Sequence, residues 1–141
     1  MKQKDKMPDL IIASGPVIIE DKKVLLIRHG DDGLWKFPGG KVEWAEVGDS
    51  FEELEKVCLR EVSEEMNLEI EILRPLKPML IKRPDKPEAF VVLIHFLAKR
   101  VGEIKPGDDI LEWDWFPIDQ LPEQAAPNVA PVLAELSSSS S

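Results

Sequence analysis

Three glutamates near the middle of the chain, Glu61, Glu64 and Glu65, have the spacing of side chains on one helical face. At positions i, i+3 and i+4 their carboxylates lie within about one turn of a helix. Grouped carboxylate oxygens are the ligands that a hard divalent cation prefers. A solvated acidic helix face is the alternative interpretation, and the spacing alone leaves both open.

The segment around these glutamates predicts a long helix with one apolar stripe. Ser50 and Glu53 form a Ser-x-x-Glu capping box, which predicts a helix start at Ser50. Helical phase places Glu61 and Glu65 at the edge of the stripe, where an unpaired carboxylate is costly to bury and a cation should neutralise it. The residues predicted to form the stripe are Phe51, Leu54, Cys58, Val62 and Met66.

The string Arg60-Glu61-Val62-Ser63-Glu64-Glu65, downstream of Gly39-Gly40, resembles the Nudix box. The lead-in from Leu34 to Gly40 is also similar to that family. Two features depart from the pattern. Thirteen residues instead of seven separate Glu46 from Arg60, so both Glu46 and Asp49 are candidates for the first glutamate of the box. Asn67 replaces the box glycine, which is a mild change because Asn tolerates the left-handed conformation.

The resemblance implies an α/β fold, namely a Nudix-type α/β/α sandwich with a mixed β-sheet and one long catalytic helix. It also implies a bound Mg²⁺ or Mn²⁺. The resemblance implies that Glu61 accepts a proton from the attacking water and that Arg60 orients the Glu61 carboxylate. Glu64 and Glu65 complete the implied catalytic set. The metal ligands implied are Glu61, Glu64, Glu65, the carbonyl of Gly40, and an acidic residue at Glu112 or Asp109.

The resemblance implies that the substrate is a nucleoside triphosphate, with oxidised and other dNTPs among the candidates, and that it is cleaved to a nucleoside monophosphate and pyrophosphate. The segment from Pro127 to Leu133 is similar to the one in which MutT-type nucleoside triphosphate pyrophosphohydrolases carry a base-reading Asn, which makes Asn128 the candidate. A helix N-cap is its alternative role. We also expect Phe37 and Gly39 to contact substrate, with core packing as the alternative for Phe37.

Two other functions remain open from the sequence. An ADP-ribose or other nucleoside diphosphate-X pyrophosphatase is one, because some of those relatives carry a proline where Pro84 stands. A catalytically silent nucleotide-binding Nudix module is the other. Dinucleoside polyphosphates are less expected as substrates, because those relatives use a Tyr and this chain has none.

Composition and charge exclude several classes of protein. The 141 residues predict one domain over 1–136 and a disordered serine tail over 137–141. A net charge of −9 argues against binding to long nucleic acids. No apolar run could span a bilayer and no signal peptide is evident, so we expect a cytoplasmic protein. We also expect a monomer or a homodimer. The single cysteine, Cys58, excludes an intrachain disulfide.

The remaining secondary structure is predicted from hydrophobic runs and turn signals. A turn at Ser14-Gly15-Pro16 separates two short strands, and a long irregular connection runs from Pro75 to Glu88. His29 is interpreted as an ordinary loop histidine and His95 as a packed core histidine. The predicted elements are strands over 10–13, 17–20, 24–28, 69–73, 89–99 and 112–116 and a second helix over 128–136.

Overall fold

The computed structural model describes residues 9–29, 32–42, 53–83 and 86–139. Within these ranges the chain forms eight strands and two helices. No helix there is long and apolar enough to span a bilayer. In chain order the elements are β1 Leu10–Glu20, β2 Lys23–Arg28, β3 Trp35–Lys36, β4 Gly40–Lys41, α1 Leu54–Met66, β5 Ile70–Pro75, β6 Met79–Arg83, β7 Lys86–Arg100, β8 Glu112–Pro117 and α2 Val129–Ser139.

The strands form one mixed sheet in which β1 and β7 are the central pair. The order is β3-β2-β1-β7-β5, with β4 on β1, β6 on β7 and β8 on β2. The β1–β7 pair is parallel from Leu10↔Phe90 to Ile18↔Ala98, whereas the other pairs are antiparallel. The mixed sheet agrees with the predicted architecture.

Both faces of the sheet are covered, each by one helix. Successive strand residues point to opposite faces, so neighbours such as Val17 and Ile18 enter different cores. One core joins Ile18, Leu25, Ile27 and Phe96 to the α1 residues Cys58, Val62 and Met66. The other joins Val17, Val24 and Leu26 to the α2 residues Val129, Val132 and Leu133. The predicted α/β/α sandwich is confirmed.

Strand β1 is continuous, so the predicted turn at Ser14-Gly15-Pro16 is wrong. All three residues pair in parallel with β7 and are buried. On its other edge β1 pairs with β4 at Ala13 and Ser14 and with β2 at Ile19 and Glu20. Pro16 lies between these two stretches, where its missing N–H interrupts neither ladder.

Helix α1 begins later than predicted. Glu53 is the N-cap residue in an extended conformation, with φ −70° and ψ 135° and no side-chain capping bond. A capping box needs Glu53 inside the first helical turn, so the predicted box is wrong. Ser50, Phe51, Glu46 and Asp49 lie outside the described residues. Val57 joins the buried stripe, whereas Leu54 is exposed.

Asn67 ends the helix in the predicted left-handed conformation, with φ 48° and ψ 38°. Its backbone N–H donates to Ser63 O at 2.8 Å. Its side-chain Nδ2 donates to Lys105 O at 2.7 Å. Asn67 therefore closes the helix and holds the segment that follows β7.

The proline-rich segment and the serine tail contain more regular structure than expected. Strand β6 pairs antiparallel with β7, with Pro75 at the end of β5 and Pro78 just before β6. Prolines at strand ends do not remove ladder hydrogen bonds, which explains why the segment can still form a hairpin. Helix α2 extends to Ser139, three residues beyond the predicted end at Leu136.

Candidate active site

The second half of α1 forms one wall of an acidic cleft of about 270 Å³. Glu61, Glu64 and Glu65 all line it, so the helix brings the three predicted glutamates to one place. We call this site the acidic cleft. It is lined by His29, Glu61, Glu64, Glu65, Gly107, Asp108 and Asp109.

The turn that carries Asp108 and Asp109 packs directly on the end of α1. Gly107 N donates to Glu65 O at 2.9 Å. A Cβ at Gly107 would lie 3.1 Å from that same oxygen, so a larger residue would push the turn outwards. This contact places the two aspartates opposite the helix glutamates.

Glu65 is largely enclosed, with 15% of its side chain exposed. Its Oε1 accepts a hydrogen bond from Gly39 N at 2.7 Å. Its Oε2 lies 3.1 Å from His29 Nε2. Burial raises the pKa of Glu65 above its ordinary value, while the Gly39 N–H and His29 act in the opposite direction.

The Pro38-Gly39-Gly40 turn reaches Glu65 because it crosses β1 in close contact. A Cβ at Gly15 would lie 1.9 Å from Pro38 O, and one at Gly39 would lie 2.2 Å from Ser14 O. Gly39 also has φ +114°, which favours glycine. The glycines thus allow the two backbones to touch. Gly40 lies beside Glu61, because a Cβ at Gly40 would be 3.4 Å from Glu61 Oε1.

A second pocket of about 150 Å³ lies on the other side of this turn. We call it the amide pocket. The predicted substrate residues Phe37, Gly39 and Asn128 all line it, together with Lys36, Leu93 and His95. Gly39 therefore contributes to both sites, through its N–H to Glu65 and through its position in the amide pocket.

His95 connects the amide pocket to β1. Its Nδ1 is 3.2 Å from Gly15 O, and its Nε2 is 3.1 Å from Asn128 Nδ2. The Phe37 ring meets the imidazole edge-on, with centroids 4.9 Å apart. Burial lowers the pKa of His95 below its ordinary value, so the ring is neutral near neutral pH. His95 is buried as predicted, but it also lines a pocket.

Asn128 is bonded through its side chain to His95 and not to the start of α2. Pro131, the third residue of that helix, has no N–H, so only the N–H of Ala130 could be capped by this side chain. This geometry favours the predicted ligand-reading role of Asn128 over the capping role, although the role itself stays a prediction.

The donor set of the acidic cleft suits a divalent cation. Carboxylate oxygens from Glu61, Glu64 and Glu65, with Asp108 and Asp109 opposite, are the hard ligands that Mg²⁺ and Mn²⁺ take. Among the described residues no three of these side chains are already arranged as a coordination set. Glu65 is held by Gly39 and His29 through one contact to each carboxylate oxygen, and each oxygen keeps a further lone pair that could bind a cation.

Glu112 is not a lining residue of the acidic cleft. It forms an ion pair with Arg28 at 3.0 Å on the exposed surface of the β2–β8 pair. Of the two acidic residues considered from the sequence, Asp109 is therefore the better placed.

Arg60 is partly buried on α1, two residues before the buried Val62.

Three contributors to these sites were missed from the sequence. His29 was interpreted as an ordinary loop residue, and Asp108 and Gly15 received no role. The Pro106-Gly107 turn signal before two aspartates could have indicated a close approach to another element. The contact between His29 and Glu65 has no local sequence signal, because it depends on how β2 and α1 pack.

Comparison with known proteins agrees with this geometry. The NUDIX domain family matches residues 11–136. An ADP-ribose pyrophosphatase from Methanocaldococcus jannaschii is 32% identical over 121 residues, covering 81% of this chain but only 66% of that relative. A MutT NUDIX hydrolase from Burkholderia pseudomallei superimposes with a TM-score of 0.75 at 26% identity, covering 91% of this chain and 98% of that one. An ADP-ribose pyrophosphatase from Streptococcus suis gives 0.69 at 25% identity, covering 93% and 92%. This chain therefore belongs to the Nudix hydrolase family.

Proposed function

We propose that this chain is a divalent-cation-dependent pyrophosphatase for nucleoside diphosphates linked to a second group, with ADP-ribose as the first candidate substrate. Two of the similar proteins, from Methanocaldococcus jannaschii and Streptococcus suis, are named ADP-ribose pyrophosphatases. These similarities favour the alternative considered from the sequence over the nucleoside triphosphate that the sequence placed first.

The observation that carries the proposal is the pairing of two unlike pockets across one glycine turn. The acidic cleft offers carboxylates for a cation and hence for a diphosphate. The amide pocket offers Phe37, His95 and the Asn128 amide, which suit one planar ring with polar edges. The two pockets, of about 150 and 270 Å³, would receive different parts of a nucleotide-sugar, the ring in one and the diphosphate in the other.

Charge favours a diphosphate diester over a triphosphate. The chain has a net charge of −9, and five carboxylates line the acidic cleft. A nucleoside diphosphate linked to a sugar has no terminal phosphoryl group, so it is less negative than a triphosphate and is repelled less. For a given number of bound cations, the less charged substrate is the easier one to accommodate.

The reaction expected is attack of water on one phosphorus of the anhydride. A P–O bond to the water oxygen forms, the bridging P–O bond breaks, and the bridging oxygen leaves with the other phosphate. By family resemblance Glu61 accepts the proton of the water and Arg60 orients that carboxylate. Glu61, Glu64 and Glu65 would hold the cation, which supplies charge neutralisation at the phosphate oxygens. ADP-ribose would yield AMP and ribose 5-phosphate.

A nucleoside triphosphate is the second candidate, supported by the MutT NUDIX hydrolase from Burkholderia pseudomallei. It would yield a nucleoside monophosphate and pyrophosphate. Pro84, which supported the ADP-ribose alternative in the sequence analysis, lies outside the described residues.

A substrate panel with Mg²⁺ separates these possibilities. We expect kcat/KM for ADP-ribose to exceed that for ATP, dGTP and oxidised dGTP by roughly tenfold or more, as one well-formed specificity contact provides. Chromatography should show AMP and ribose 5-phosphate in equal amounts. Faster release of pyrophosphate from a triphosphate would favour the second candidate. No turnover on any member of the panel would favour a silent binding module.

A further inference from the structure

His95 holds the Asn128 amide in one orientation through two linked hydrogen bonds. The carbonyl of Gly15 can only accept, so the proton on His95 must be on Nδ1, 3.2 Å away. The buried ring is neutral, so its Nε2 carries a lone pair. Nε2 is therefore an acceptor and requires a donor from its neighbour.

The neighbour of Nε2 is the Asn128 amide, at 3.1 Å. An amide nitrogen donates and an amide oxygen only accepts, so the nitrogen must face His95, as it does in the structure. The amide oxygen is then on the side away from His95. Among the described residues the Asn128 side chain is bonded only to His95, so its oxygen is available to a ligand in the amide pocket.

Packing fixes the position of the His95 imidazole, which sets the orientation of the Asn128 amide. His95 is 4% exposed, lies in the long strand β7 and is contacted edge-on by Phe37. Gly15, whose carbonyl sets the tautomer, is locked against Pro38 by a contact that only glycine permits. The orientation of Asn128 therefore depends on Gly15 in β1, which is not among the residues that line the amide pocket.

We propose that His95 is a positioning residue that makes Asn128 present its amide oxygen to the ligand, so that the amide pocket selects a nucleobase edge carrying an N–H donor. This inference rests on the proposed function for the assignment of the ligand as a nucleotide. It does not depend on which anhydride is cleaved.

Binding of two nucleoside monophosphates tests the proposal without turnover or added metal. AMP carries an exocyclic amino donor, whereas purine riboside 5′-monophosphate has the same ring without one. By calorimetry we expect the native protein to bind AMP roughly tenfold more tightly, which is the order of one hydrogen bond at a buried site. Asn128→Ala and His95→Phe should both reduce this ratio to near one, and the double variant should reduce it no further. His95→Gln should retain most of the ratio, because its amide oxygen can accept from Asn128.

Nitrogen NMR of the native protein tests the same idea without any substitution. We expect His95 to show a neutral ring protonated on Nδ1 across the pH range around neutrality. A ring protonated on Nε2 would overturn the proposal, because Asn128 would then have to turn its oxygen towards His95. Equal binding of the two nucleotides by the native protein, or an unchanged ratio in His95→Phe, would also overturn it. Failure to hydrolyse ADP-ribose would overturn the proposed function but leave these binding results intact.

Discussion

Glu65 shows how a single residue can be correctly located from sequence while its surroundings are not. Helical phase placed its carboxylate at the edge of the buried stripe, and it is mostly buried there. The sequence argument then required a cation because it assumed an unpaired charge. The structure supplies partners from elsewhere in the chain, the Gly39 N–H and His29. These contacts join residues far apart in sequence, so periodicity within α1 could not indicate them.

Asn67 provides a prediction at the same scale. Its backbone is left-handed and its side chain donates to Lys105 O. Asn67→Ala should lower the free energy of unfolding by about 1–2 kcal/mol, because alanine is strained there and lacks the hydrogen bond. Asn67→Gly should change it by less than about 1 kcal/mol, since glycine removes the strain while losing the bond. Urea denaturation of both variants measures this, and equal stability of the alanine variant and the native protein would contradict it.

At the scale of elements, the crossing of β1 and the Pro38-Gly39-Gly40 turn supports both pockets. Gly15→Ala should destabilise the protein by about 3 kcal/mol or more, because its Cβ would overlap Pro38 O and neither backbone can move freely. Gly102→Ala is the matched control, since a Cβ there meets nothing within 4 Å, and its stability should change by less than about 0.5 kcal/mol. Thermal denaturation of the pair compares the two. Similar melting temperatures for both variants would show that the crossing is not tightly packed.

The elements that sequence predicted well are those whose apolar pattern is strong along the chain itself. The runs in β2, β7 and the stripe of α1 are of this kind. The errors arise where a partner strand overrides a local signal. Ser14-Gly15-Pro16 has turn chemistry, but parallel pairing with β7 keeps β1 extended. The prolines around β6 suggested an irregular loop, yet the antiparallel partner β7 organises it as a strand.

At the scale of the whole molecule, the two helices and the sheet meet so that one glycine turn separates an acidic site from a less polar one. The glutamates of the acidic cleft were identified from their spacing. Asp108, Asp109 and His29 join them only through tertiary packing of the segments around β2 and β8. The amide pocket was predicted in part, through Phe37, Gly39 and Asn128, but its histidine requires the pairing of β7 with β1.

The Glu20–Arg100 pair links the ends of the central strands and predicts a dependence of stability on pH. Arg100 donates to both carboxylate oxygens of Glu20, at 2.8 and 2.9 Å. The hydrogen bond from Arg100 holds the pKa of Glu20 below its ordinary value of 4.5. A lowered folded-state pKa means that the contribution is present above about pH 4.5 and is lost as the pH falls through the folded pKa.

Glu20→Gln should therefore reduce stability near pH 7 by no more than about 1 kcal/mol, because the pair is about one-third exposed. The difference from the native protein should shrink towards zero as the pH falls below 4.5 and through the lowered folded-state pKa of Glu20. Glu71→Gln, which removes the exposed Glu71–Lys99 pair, is the control and should change stability near pH 7 by less than about 0.5 kcal/mol. A constant difference between Glu20→Gln and the native protein at all pH values would contradict the assignment.

The most direct test of the central claim compares Glu65→Gln with Glu55→Gln in the Mg²⁺-dependent hydrolysis of ADP-ribose. Glu65 lines the acidic cleft, whereas Glu55 is exposed in the first turn of the same helix. Glu65→Gln should lower kcat/KM by roughly a hundredfold or more, because one of the carboxylates proposed to hold the cation is lost. Its melting temperature in EDTA should not fall and should rise slightly, since burial disfavours the charged form of Glu65. Glu55→Gln should match the native protein in both measurements. Full activity in folded Glu65→Gln would contradict the account of the acidic cleft as the catalytic site.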